Sequence, residues 1–324
     1  MARFLVRRLV NYLALLLVAS FVTYCAAALT FDPLASVMGR NPPPPPEVIE
    51  SQRQALMLDE PIVQRYLTWI TGVVQGDFGT TNTGQSINDE LWRRVGVSLR
   101  LLLVGTVLGV TLGVLLGVVS AIRQYKISDY VGTVFSFITL STPVFLLGIV
   151  LQFVAIRVNN AAGTTLLYFT GETTAGFQGS FGEALVDRLQ HLVLPTLAVV
   201  LTQIAYYSRY QRSAMLDVLG SDFLRTAQAK GLTRRRALFK HGLRTALIPM
   251  ATLFAFGFGL LITGSVFVER IFGWYGMGEW FVYGIGDEDI NIVMAVTLFA
   301  AFLIFLSGWL SDVIYAALDP RIRL

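Results

Sequence analysis

Three lysines, two histidines and one cysteine are the only ammonium, imidazole and thiol side chains in this sequence, and their neighbours exclude most of the chemistry such groups perform. A loop that cradles nucleotide phosphates needs Gly-x4-Gly-Lys followed by Ser or Thr, so that backbone N–H groups and an ammonium surround the anion. Lys126, Lys230 and Lys240 are followed instead by Ile127, Gly231 and His241. The chain is therefore not expected to be an enzyme. No residue is assigned a catalytic role, and any ATP would have to be hydrolysed by a partner. His191 and His241 fall near opposite ends of different apolar runs, so no metal site and no resident cofactor are expected. Cys25 lies alone inside an apolar run, which excludes an internal disulfide. Asp77-Phe78-Gly79 copies a kinase triplet without the accompanying Gly-rich loop or His-Arg-Asp segment, and reads as a turn. Neither a zinc-protease motif nor a Gly-x-Ser-x-Gly elbow is present.

What the chain concentrates instead is a polar segment with a helical pattern. It runs Asp222-Phe223-Leu224-Arg225-Thr226-Ala227-Gln228-Ala229-Lys230-Gly231-Leu232, then Thr233-Arg234-Arg235-Arg236, then His241 to Pro249. It lies between two long apolar runs and is too charged to enter lipid. Leu224, Ala227 and Gly231 recur at helical spacing, which gives one lean, weakly polar face. Ser221 or Asp222 can cap its start, and Gly231 can end it in the left-handed conformation. Thr233 can then cap a second helix that runs on into the membrane. A short helix of this kind, held under a membrane bundle, suits a groove in another protein, and reads as the place where mechanical work enters from a partner. Arg234, Arg235 and Arg236 taken alone read differently, as cations retained on the cytoplasmic side that fix topology.

The remaining chain must hold that segment at a bilayer. It is 54% hydrophobic and 14% charged, with a mean hydropathy of +0.62, a composition of integral membrane proteins. The net charge of +4 does not point to nucleic acid, because the arginines flank apolar runs instead of forming a stripe. Six spans are expected, at about 9–29, 97–122, 130–156, 191–207, 249–267 and 290–316. The first is long enough for a ~30 Å hydrocarbon core. Its basic start also resembles a signal peptide, but the run exceeds a usual signal core and is read as a retained helix. With both termini cytoplasmic, most of the 25 Lys and Arg residues fall in inner segments, chiefly between the fourth and fifth spans. The expected organisation is 1–30 as the N-terminal segment and first span, 31–97 as an external loop region, 98–316 as a five-helix core with its coupling loop at 209–245, and 317–324 as a cytoplasmic tail.

Between the spans, Pro42 to Pro46 reads as a stiff extended spacer, on the order of 15 Å at about 3.1 Å per residue. Residues 56–74 read as an amphipathic helix with a break at Leu58-Asp59-Glu60-Pro61. Gly105, Gly109, Gly113 and Gly117 fall every fourth residue and form a flat stripe for close helix packing. Pro143, within Ser141-Thr142-Pro143, frees a carbonyl in the third span, where it marks either a pathway wall or a packing kink. Gly257 and Gly264 allow bending or close approach in the fifth span. Ser141, Pro143, Gly257 and Gly264 are thus the candidate pathway residues. Residues 159–188 read as an outer loop. Ionisable groups inside the spans are few. Asp312, near the inner end of the sixth, is expected to pair with Arg7 or Arg8, and the scarcity argues against a proton- or sodium-coupled carrier.

The order Arg225-Thr226-Ala227-Gln228-Ala229-Lys230-Gly231-Leu232, then a basic run, then His241-Gly242-Leu243-Arg244-Thr245-Ala246-Leu247-Ile248-Pro249, resembles the cytoplasmic loop of binding-protein-dependent ABC importer permeases of the dipeptide, oligopeptide and nickel branch. Thr245 stands where Asn is usual, and Arg225 where the wider superfamily has Glu. Leu58-Asp59-Glu60-Pro61 through Trp69, and Val266 to the terminal Leu318-Asp319-Pro320-Arg321-Ile322-Arg323, also resemble that branch. The resemblance implies an all-α, six-span membrane protein with a long external loop after span 1 and a coupling helix between spans 4 and 5. Its implied partners are a second, related permease subunit in a heterodimer, two ATP-binding subunits and an extracytoplasmic peptide-binding protein. It implies import of peptides, oligopeptides by preference, across a bacterial cell membrane. Coupling to the ATPase would rest on Leu224, Arg225, Thr226, Ala227, Ala229, Lys230, Gly231 and Leu232. Dipeptide or nickel import stays open as an alternative, as does a stand-alone secondary transporter or channel.

Overall fold

The computed structural model describes residues 2–39, 42 and 44–318, without the side chains of 2–6, 36, 251–252, 255–265 and 311–318. Among them the regular elements are helices, and one isolated bridge joins Thr80 to Ser86. Helix α1 (Ala2–Thr30) is followed by three short ones, α2 (Ala35–Met38), α3 (Pro46–Ala55) and α4 (Ile62–Val74). Then come α5 (Ile87–Ile122), α6 (Ile127–Ser141), α7 (Val144–Ala162) and the longest, α8 (Phe181–Leu219). Two short helices, α9 (Asp222–Ala229) and α10 (Arg234–Ala237), and a π-helical turn, Leu238–Gly242, lead into α11 (Leu243–Ile271). The last elements are α12 (Met277–Gly286) and α13 (Ile290–Leu318). Among the described residues, five helices (α1, α5, α7, α8 and α13) are long and apolar enough to cross a membrane.

Local chemistry moves several boundaries from where the sequence pattern put them. Pro143 does not kink one continuous third span; it separates α6 from α7. Its ring drives the preceding residue out of the helical region, and Thr142 is extended at φ −95°, ψ 121°. Pro143 then serves as the N-cap of α7. The expected loop at 159–188 shrinks, because α7 continues to Ala162 and stops at Gly163 in the left-handed region. At its other end, Ser180 and Glu183 form a reciprocal capping box that starts α8 at Phe181, well before the apolar run. The proline spacer survives only in part: Pro45 is extended, whereas Pro46 opens α3, where its missing N–H costs nothing. The helix expected from residue 56 begins at Ile62, after a turn holding Met57 at φ 54°.

The chain divides into two compact units, with boundaries inside α5 and α13. In the unit comprising Leu99–Trp274 and the segment from Leu306, α8 is the central element, and α6, α7 and α11 pack on it. In the unit comprising Ala2–Ser98 and Tyr275–Phe305, α1 packs on α4 through Tyr24, Tyr66 and Trp69, joined by Ile290 and Met294 of α13. There the Tyr66 hydroxyl meets Ser20 Oγ at 2.8 Å. Asp289, at 1% exposure, caps α13 by accepting from the Ile292 amide at 3.0 Å, and also receives the Asn82 amide at 2.6 Å. Arg94 joins Glu90 and Glu279 at 2.8 and 2.9 Å and lies over the Trp280 ring.

Candidate coupling surface

The stop of α9 follows from Gly231. At φ 91° it occupies a conformation that L side chains rarely adopt, which turns the chain so that two orphan carbonyls are met. The Leu232 amide donates to Ala227 O at 3.3 Å and the Gly231 amide to Gln228 O at 2.9 Å, the paired bonds of a Schellman cap. At the start, Ser221 has the extended geometry of an N-cap. Its hydroxyl turns back to donate to Val218 O at 2.6 Å, so Ser221 ties α9 to the end of α8. Thr233 begins α10 by accepting from the Arg236 amide at 3.4 Å.

The lean face expected to meet a partner is divided between two tasks. Leu224, only 4% exposed, enters a cluster with Val118 and Ala121 of α5, Met215 and Val218 of α8, and Ala237, Leu238 and Ala246. Ala227 and Leu232 pack against the same cluster. These three anchor α9 to its own chain. The opposite face is open: Asp222, Phe223, Arg225, Thr226, Ala229 and Lys230 are all exposed, and so is Gly231. Arg234, Arg235 and Arg236 are exposed too, in the first turn of α10, where the helix dipole disfavours cations. What results is a short, firmly based helix showing a small-residue, mixed-charge surface.

Above this base the four glycines of α5 lie against α8 in step. A methyl at Gly105 would come within 2.7 Å of Val199 Cγ1, and one at Gly109 would overlap Gln203 Cβ. At Gly113 it would meet Tyr207 Cβ at 2.9 Å, and at Gly117 the Ser208 carbonyl at 2.6 Å. Of the candidate pathway residues, Ser141 and Pro143 are exposed at the α6–α7 break. Gly257 and Gly264 lie outside the described side chains, as do Asp312 and its expected pairing, and the tail from Asp319 lies outside the described residues.

Three features of this unit escape the sequence reading. Asp129 of α6 receives both Nε and Nη2 of Arg212 from α8, at 2.7 and 2.8 Å. The Tyr125 amide adds a third bond at 3.0 Å. The Arg212 guanidinium, against the cost of desolvation, holds the Asp129 carboxyl down to about 2. The seam continues up α6 through Gly132, Ser136 and Thr139, and Ser136 Oγ lies 2.9 Å from Ser208 Oγ. A run of Asp, Gly, Ser and Thr at helical spacing was the legible signal. Gly242 is the second feature: it is buried in the π-helical turn, and a methyl there would press on Leu238 and Val218 at 3.1 Å each. The third is the Ser180–Glu183 capping box, plain in the sequence as Ser-x-x-Glu.

With this geometry in place, comparison with known proteins gives a consistent result. Residues 113–324 match the family described as binding-protein-dependent transport system inner membrane component. Residues 1–87 match its N-terminal companion. An oligopeptide transport system permease protein of Mycobacterium tuberculosis is 59% identical over 323 residues, covering 100% of this chain and 99% of the relative. One from Bacillus subtilis is 37% identical over 332 residues, covering 100% of both chains. A di/tripeptide transport system permease protein of Pseudomonas aeruginosa is 32% identical over 306 residues, 90% of each. The chain belongs to the binding-protein-dependent transport system inner membrane components, the permease subunits of ABC importers.

Proposed function

We propose that this permease subunit moves oligopeptides into a bacterial cell, crossing the membrane six times with both termini cytoplasmic. An external binding protein delivers the peptide, a second related permease completes the pathway, and two ATP-binding subunits hold ATP and Mg. Helix α9 rides in a groove of one of those ATPases. The observation that carries this reading is the division of α9: Leu224 is locked into the chain's own cluster while Arg225, Thr226, Ala229 and Lys230 stand open. A lever needs both a rigid root and a free face. When the ATPase pair closes, a push on that face passes through Leu224 to the ends of α5 and α8, and so to the spans. The oligopeptide preference draws support from the relatives' names and from the scarcity of His, Cys and acidic residues in the spans, which nickel would favour. The test is Gly231→Asp in the assembled transporter, reconstituted in vesicles with its binding protein. Its open surroundings accept the side chain, but its φ does not. The variant should insert normally and lose ATP-driven peptide uptake. Unimpaired uptake would remove the assignment of α9 as the coupling element.

A further inference from the structure

In the unit formed by Ala2–Ser98 and Tyr275–Phe305, α4 carries more apolar surface than its own chain covers. Placed around a helix at about 100° per residue, its apolar side chains share one arc of about 160°. One half of the arc, Ile62, Tyr66, Trp69 and Val73, packs on α1 and α13, and Ile70 lies at its border. The other half is open: Val63 and Leu67 are each 54% exposed and Val74 is 84% exposed. Gln64, Thr68, Thr71 and Gln75 fall on the opposite side and are exposed as well. A helix lying in water would turn one apolar face inward and leave no second stripe beside it.

The packed half fixes the depth of the helix. Tyr66 lies edge-on to Phe21 and Tyr24 of α1, with ring centroids 5.1 and 5.6 Å away, and its hydroxyl donates to Leu17 O at 3.2 Å. The apolar stretch with which α1 can cross a membrane is Arg7–Thr30. Measured along α1 from Thr30, Tyr24 is about 9 Å and Leu17 about 20 Å down the helix, at about 1.5 Å per residue. α4 therefore lies beside the apolar stretch of α1, below its end, and not in the water above it. Whatever surrounds α1 at that depth also meets Val63, Leu67 and Val74, and it is either acyl chains or another membrane subunit. The side chains decide between them. Protein interfaces concentrate Tyr, Trp, Met and Arg, and helices that associate in lipid present small residues. The open stripe has neither kind; it is branched and aliphatic, and both aromatic residues of α4, Tyr66 and Trp69, are turned to their own chain.

We propose that α4 is an interfacial helix, seated in the leaflet at the Thr30 end of α1 with Val63, Leu67 and Val74 against lipid acyl chains. That leaflet is the outer one on the topology proposed above, on which this part of the inference rests. The test places a nitroxide at single cysteines in a Cys25→Ala background, one at a time, as Val63→Cys, Leu67→Cys, Val74→Cys, Gln64→Cys, Thr68→Cys and Thr71→Cys. All six positions are exposed, so the label displaces no packed side chain. Collisions with oxygen, which enters the acyl region, and with a nickel chelate, which stays in water, are measured for the full chain in lipid nanodiscs and for the assembled transporter. The oxygen-to-chelate ratio should follow the period of about 3.6 residues, high at 63, 67 and 74 and low at 64, 68 and 71. It should place the Leu67→Cys label about 5–10 Å below the phosphates. Chelate collisions that exceed oxygen collisions at 63, 67 and 74 would put the stripe in water and overturn the assignment. Loss of collisions with both reagents at those positions in the assembled transporter would put another subunit there and overturn it equally. A membrane-impermeant maleimide added to intact cells tests the leaflet separately, and Thr71→Cys should react without lysis. Reaction only after lysis would overturn the outer-leaflet placement and the topology beneath it, while the collision profile still judges whether α4 is embedded.

Discussion

Asp129 and Arg212 are two charges on different helices of one unit, 4% and 29% exposed at their side chains. Paired and bidentate, they close the seam between α6 and α8; unpaired, either would be a desolvated charge. Asp129→Asn should therefore lower the stability of the detergent-purified chain by about 3 kcal/mol, read as an earlier thermal unfolding transition. Replacing both, as Asp129→Leu with Arg212→Met, should regain most of the loss, because no charge is then left stranded. The pair also sets a pH signature. The folded carboxyl titrates at about 2, below the ordinary 3.8. Its stabilisation, about 2 kcal/mol, is complete above the ordinary value and disappears as pH falls from about 4 to about 2. The gap in unfolding temperature between the parent chain and Asp129→Asn should narrow across that window; a gap that stays constant would deny the pair its charge. Gln211, one residue along, is fully buried, and neither atom of its amide finds a partner among the described residues. Gln211→Leu keeps the volume and removes the unmet polar atoms, so its unfolding transition should rise, by about 1–3 kcal/mol at most.

At the scale of helices, the α5 stripe tests whether a small residue is there for packing or by default. In lipid there is little hydrophobic force between helices, so close backbone approach must supply the attraction. Gly109→Ala gains helix propensity of about 1 kcal/mol but places a methyl onto Gln203 Cβ. Overpacking of that kind costs about 1–3 kcal/mol, and the net effect should be destabilising. Gly96→Ala lies in the same helix and meets nothing within 4 Å, so propensity alone should make it neutral or stabilising. Opposite signs in thermal unfolding are expected; equal effects would mean that the stripe packs no more tightly than the rest of α5. The stripe was legible because glycine at every fourth residue has a single geometric meaning. Local signals that compete were harder to read. The apolar run through Pro143 suggests one span, and only the restriction on Thr142 shows that it is two helices. The Asp129 seam was hidden because its members are polar or small, and a pattern search tuned to apolar faces passes over them. Gly242 carried no signal of its own, since its burial depends on where the π-helical turn places Val218 beside it.

For the whole molecule, the helix of the proposed coupling segment is legible in the sequence, but the way its lean face turns is not. Helical spacing identified a lean face, but spacing cannot say whether that face turns toward its own chain or away from it. Leu224 and Ala227 turn inward, and Ala229 turns outward. This division yields a prediction that a mere surface helix would not meet. Leu224→Ala removes a buried side chain from the root of the proposed lever and should destabilise the purified chain by about 2–5 kcal/mol. Ala229→Trp adds bulk to the open face and should leave thermal unfolding of the isolated chain unchanged. In the assembled transporter the same Ala229→Trp should fail to couple ATP hydrolysis to peptide uptake, because on the proposed docking an indole would stand between α9 and its partner. Paired measurements of unfolding temperature and of peptide moved per ATP separate the two effects. Were Ala229→Trp to transport as well as the parent, the open face of α9 would not be a docking surface, and the force would have to enter elsewhere, with the exposed arginines of α10 next in line.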